Sequence, residues 1–144
     1  MWRWLQLLPY RMRPRPTNKR LQTLMAGADR ILIKESGVRE CKAIKDVVVL
    51  SIVNPADINT FSDLLEIHEP KQWFHCMCYG DYAVEFYAGQ QLLATISLHH
   101  GASMRYDKWY GDAELSKSGL LLQFMEERGL RKSLEDINAS QNDV

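Results

Sequence analysis

The sequence predicts an α+β fold: an antiparallel sheet of about five strands, in the order β-β-α-β-β-β, with helices packed on one face. Three observations carry this. Strand-like segments come in runs instead of alternating with helices, which argues against a parallel sheet. The last three are separated only by Gly80-Asp81 and Gly89-Gln90, connections short enough for hairpins and too short for parallel crossovers. A chain of 144 residues, 46% apolar and 25% charged, can also bury one real core.

In chain order, residues 1–16 form a basic Trp/Arg/Pro arm. Pro14 and Pro16 disfavour helix there, and the arm is expected to be loose. A single domain is expected over 17–132 and a polar tail over 133–144. Thr17 is a natural cap for a helix with Leu21, Leu24, Met25 and Ala28 on one face. Residues 30–34 read as a short β-branched strand. Residues 46–53 give the strongest strand signal and are apolar enough to lie centrally. Asn54-Pro55 starts a second helix, with Asp57 in its first turn and Ile58, Phe61, Leu64, Leu65 and His68 along its face. Pro70 closes it. Strands over 72–79, 82–88 and 92–99 form a meander, and 101–114 is a loop. A last helix starts near Ser116 or Ser118, carries Leu120, Leu121, Phe124 and Met125, and stops at Gly129.

Eighteen basic and eighteen acidic side chains cancel, so no net field points the folded domain toward nucleic acid. Acid-free residues 1–20 hold six basic side chains, and Trp2 and Trp4 among them make contact with an anionic membrane or with nucleic-acid phosphate the arm's alternatives to a loose tail. The apolar run after Trp4 is cut by Pro9, too short for a signal peptide, and eighteen uninterrupted apolar residues occur nowhere. Three cysteines make no closed disulfide framework, and Cys76 and Cys78 on a strand sit about 6.5–7 Å apart. A reduced, cytoplasmic chain is expected.

Chemistry-bearing residues concentrate in two places. Cys76-Met77-Cys78 and His99-His100 supply two thiolates and two imidazoles, which suffice chemically for zinc. The one-residue spacing is wrong for familiar zinc sites, however. Strand parity also sends His99 and His100 to opposite faces unless the strand ends between them. The competing readings are two core thiols packed as small hydrophobes, or a Cys–His nucleophile with Asp81 or Asp107 orienting the histidine. Glu85, Asp81, Asp107 and Asp112 are scattered, so paired-carboxylate hydrolysis has little support. Gly80, Gly89, Gly101 and Gly111 are spaced as turn residues, not as a phosphate loop.

The second concentration is His99, His100, Arg105, Tyr106, Asp107, Trp109 and Tyr110. Aromatics with arginine are what binding hot spots are made of. They are read as a protein-binding surface together with the sheet edge, and Arg105→Ala or Trp109→Ala is then expected to leave folding intact. Alternatively the three aromatics cover the open end of the core, with Arg105 paired to Asp81 or Asp107. The run Phe74-His75-Cys76-Met77-Cys78-Tyr79-Gly80-Asp81, with Ile96-Ser97-Leu98-His99-His100-Gly101 and Arg105, resembles small uncharacterised bacterial α+β proteins, some similar to immunity or accessory proteins found beside toxin genes. That resemblance spans residues 28–130 and carries over no functional residue. It implies a non-catalytic binding protein. Separately, the partner is expected to be another protein, and no cofactor is expected, with zinc as the alternative. The alternative function is a metal- or thiol-dependent protein using Cys76, Cys78, His99 and His100.

Overall fold

The computed structural model describes residues 8–69 and 77–130. A 3-10 turn, Tyr10–Met12, precedes α1 (Asn18–Met25). The Thr17 side chain caps α1 by accepting from the Arg20 N–H, as its position predicted. Then come β1 (Arg30–Glu35), a small hairpin of β2 (Val38–Arg39) and β3 (Lys42–Ala43), and β4 (Val48–Ile52). Helix α2 (Pro55–Leu64) follows, capped by Asn54 with Pro55 at its first position. The second half holds β5 (Tyr82–Ala88), β6 (Gln91–His99), β7 (Ser103–Arg105), β8 (Ala113–Glu114) and α3 (Ser118–Glu127). The fold is α+β. Six strands form an antiparallel sheet in the order β4-β1-β5-β6-β7-β8, and β2-β3 stand apart as a two-stranded sheet. Among the described residues, no helix is long and apolar enough to cross a membrane.

The core lies between the sheet and the helices. Ile31, Ile33, Val84, Phe86, Ala94, Ile96 and Leu98 alternate onto one face and meet Leu21, Met25, Ile58, Phe61, Leu121, Phe124 and Met125. Phe61 sits at the centre, its ring centroid 6.2 Å from Phe86 and 6.3 Å from Phe124. Arg128 closes α3 by stacking 3.7 Å over Phe124 and pairing with Asp57 of α2. Asn18 ties α1 to the chain leaving α2, donating to the Ile67 carbonyl and accepting from its N–H.

Several expectations need correcting. The strand containing residues 46–53 is an edge strand, because β1 pairs with β5 on its other side and leaves β4 outermost. Met77–Tyr79 is not strand, and the rest of the strand expected there lies outside the described residues. The sheet is instead extended by β7 and β8, drawn from the stretch read as loop. His68 is exposed beyond the end of α2, and Leu120 is exposed on α3. Residues 8–16 are held on the domain. Tyr10 stacks on Tyr110 at 4.6 Å, Arg13 donates to the Asp107 carbonyl, and Pro14 accepts from the Tyr110 N–H. Trp2 and Trp4 lie outside the described residues.

The sheet's second face carries none of the three helices, yet much of it is buried. Lys34, Ala83, Glu85, Thr95, Ser97, His99 and Arg105 are all buried there. Lys34 is held by Glu85 at 2.9 Å and Asp46 at 2.7 Å. At the β6 end, the hairpin and residues 77–81 lie against this face. A Cβ on Gly80 would fall 3.0 Å from Ser97 Cβ and 3.3 Å from His99 Nε2, and one on Gly37 only 1.8 Å from the Tyr79 carbonyl oxygen. Gly37→Ala therefore forces two backbones apart. It is expected to cost about 2 kcal/mol or more in urea denaturation, at the upper end of overpacking effects; an unchanged midpoint would contradict this packing.

Candidate functional site

The site is assembled where β6 ends. Alternation puts Ser97 and His99 on the second face, and Ser97 Oγ shares a 2.7 Å hydrogen bond with His99 Nε2. At His100 the backbone turns left-handed, with φ +53, and the strand stops. The parity that would have separated the two imidazoles ends with it. Both now reach the same sulfur: Cys78 Sγ lies 3.2 Å from His99 Nδ1 and 3.4 Å from His100 Nε2.

Three contacts hold the Cys78 segment in place. Arg105 Nη1 donates to the Cys78 carbonyl at 2.8 Å. The Asp81 N–H donates to the Leu98 carbonyl at 2.7 Å, and Asp81 Oδ2 accepts from the His100 backbone N–H at 2.7 Å. Asp81 thus fixes the histidine through its main chain, not its ring. Asp107, the other expected orienting carboxylate, instead accepts from the Cys41 N–H at 2.8 Å.

Arg105 is itself locked. Its Nε and Nη2 donate to the two oxygens of Asp112 at 2.6 and 3.0 Å, and the residues are 7% and 4% exposed. This fork-to-fork geometry is the strong form of a charge-assisted hydrogen bond. The partner is neither Asp81 nor Asp107, the two expected. Tyr106 and Trp109 pack edge-to-face at 5.1 Å and are both buried.

Of the seven residues read as a binding surface, His99, Arg105, Tyr106 and Trp109 are therefore withdrawn from solvent. Asp107 and Tyr110 are half-buried and only His100 is exposed. The aromatics cover the end of the core, and the arm lies over them in turn. Cys78 is half-buried and stands outside the apolar core, so its thiol is not packed as a hydrophobe. Cys76 lies outside the described residues. Among those residues, no group of three or more His, Cys, Asp or Glu is arranged to hold a metal ion.

Electrostatics divide the two imidazoles. Burial, reinforced by the Arg105 charge, pushes His99 down to about 4, so it is neutral at pH 7. His100 faces water, where a cation can be hydrated. Cys41, the other cysteine among the described residues, has its thiol pushed up by burial and by the Asp107 carboxylate.

No protein-family model matches the chain, and neither a curated protein nor a solved structure matches it. Sequence reasoning had named Cys78, His99 and His100 but missed Ser97 and Asp112. A period-two pattern showed Ser97 and His99 on one face, which was the available signal. Asp112 carried none, because its pairing depends on how the 106–111 turn folds back.

Proposed function

We propose that this protein is thiol-dependent, with Cys78 as its nucleophile. The supporting observation is the half-buried sulfur within hydrogen-bonding distance of two imidazole nitrogens that sit in different environments. His100 Nε2 takes the thiol proton, since its exposed ring can carry the charge. His99 stays neutral, held by Ser97, and orients the sulfur. This is the nucleophile–base–orienter logic of covalent catalysis, with the base and the orienter on neighbouring residues. The sulfur then bonds to an electrophilic carbon as that carbon's leaving group departs with its electron pair. A reducing compartment such as the cytoplasm keeps such a thiol from being oxidised.

The test is alkylation of the intact protein by iodoacetamide at pH 7, with each cysteine followed by peptide mass. Cys78 is expected to react about tenfold or more faster than Cys41, and His100→Ala to slow Cys78 by a similar factor. Equal rates at the two cysteines, or no effect of His100→Ala, would sink the reading.

A second reading, a non-catalytic partner-binding protein, is favoured by Met77 and Tyr79, which flank the thiol 92% and 50% exposed. An exposed methionine and tyrosine suit a docking rim. On that reading His100→Ala leaves the Cys78 rate unchanged, so the same measurement separates the two.

A further inference from the structure

Beside the thiol stands a hairpin whose charges conflict. Arg39 and Lys42 face one another directly across β2 and β3, and both are exposed. Like charges directly opposite destabilise a strand pair. Neither side chain makes an ion pair with a described residue, and Glu40, in the turn between them, pairs with neither. The Arg39 guanidinium lies 5.7 Å from the centre of the Tyr79 ring, next in sequence to Cys78. A guanidinium resting on an aromatic ring keeps its planar N–H fork free for an oxyanion.

The hairpin is also held in a conformation its sequence does not favour. Glu40 and Cys41 form its two-residue turn with φ of +51 and +64, the type I′ geometry usually given to Asn-Gly. The Asp107 carboxylate fixes that turn through the Cys41 N–H, and the Val38 N–H donates to the Tyr79 carbonyl at 2.9 Å. Two separate contacts therefore tie the hairpin to the thiol segment and to the loop behind it. Backbone strain maintained in this way tends to accompany sites that act.

Building on the thiol reading, we propose that Arg39 and Lys42 recognise anions, selecting for Cys78 electrophiles that carry a carboxylate or phosphate group. An oxyanion between the two cations relieves their repulsion and brings the electrophilic end of the same molecule toward the sulfur.

Iodoacetate and iodoacetamide test this directly. Each forms a sulfur–carbon bond as its carbon–iodine bond breaks and iodide leaves, but only iodoacetate bears a carboxylate. The measured quantity is the ratio of their rates at Cys78 in the intact chain at pH 7, divided by the same ratio in the urea-unfolded chain. At low ionic strength it is expected to stand about three- to fivefold above one, and to fall toward one in about 0.5 M salt as surface charge is screened. Arg39→Gln with Lys42→Gln should return it to one, since any change in thiolate fraction acts on both reagents alike and cancels in the ratio. If the wild-type ratio is already one and iodoacetamide still reacts fast, anion selection is wrong and the thiol reading stands. A preference that survives the double substitution also overturns the proposal, assigning the field to His100 and Arg105. Slow reaction with both reagents removes the thiol reading and this inference together.

Discussion

Arg105→Ala is expected to lower stability by about 3–5 kcal/mol, the usual cost of removing one partner from a buried ion pair. The substitution leaves the Asp112 carboxylate buried without its counter-charge and strips the Cys78 carbonyl of its donor. Most of the loss comes from that stranded charge, not from the pair's own net attraction, which desolvation largely offsets. Replacing both partners by apolar residues, Arg105→Met with Asp112→Leu, should therefore cost much less than Arg105→Ala alone. Urea denaturation of the single and double variants measures both effects. A loss below about 1 kcal/mol for Arg105→Ala would show that the pair is not buried as described. The expectation drawn from an exposed binding loop, an intact fold, is reversed by where the side chain lies.

Acid should destabilise the protein through His99 well before most carboxylates titrate. The folded state holds this imidazole at about 4, below the 6.5 of an unperturbed histidine. Below pH 6.5 the unfolded chain therefore takes up a proton that the folded chain refuses. The stabilising effect is complete above pH 6.5 and is lost as pH falls through about 4, so stability rises with pH across that window. The full loss is on the order of 3 kcal/mol. Arg105 and His100 oppose protonation, while Asp112 and Asp81 favour it without prevailing over burial. Denaturation midpoints at pH 7, 5.5 and 4, compared with His99→Gln, isolate this contribution. A slope unchanged in the variant would assign the acid sensitivity elsewhere.

The parts of the molecule legible in the sequence are those governed by local rules. The Thr17 and Asn54 caps, Pro55 at the start of α2 and the β5–β6 hairpin about Gly89 follow from side-chain hydrogen bonding, ring-fixed φ and turn chemistry. Each acts within a few residues. The core face of β6 was legible because alternation is a property of any extended chain. Misreadings arise where a long-range contact outweighs a local preference. The β-rich segment at 46–53 became an edge strand because β5 occupies the other side of β1. Glu40-Cys41 carries no turn signature, yet it turns with both residues left-handed while Asp107 secures the backbone.

The site shows the same division on a smaller scale. Cys78, His99 and His100 could be singled out from residue chemistry alone, and strand parity stated the condition for their convergence: the strand had to end between the histidines. Whether it did was beyond local rules, since a left-handed His100 depends on Asp81 accepting its N–H from another strand connection. Burial was equally out of reach. The arginine and aromatics of 105–110 have a composition that suits an exposed hot spot or a core cover, and only packing distinguishes them. By itself the sequence determined the fold class, the caps and the side chains that could make a site, because the first two rest on interactions a few residues long and the last on residue chemistry alone. The tertiary structure decided which side chains meet, which carry charge and which are reachable, because desolvation and pairing depend on neighbours brought from elsewhere in the chain.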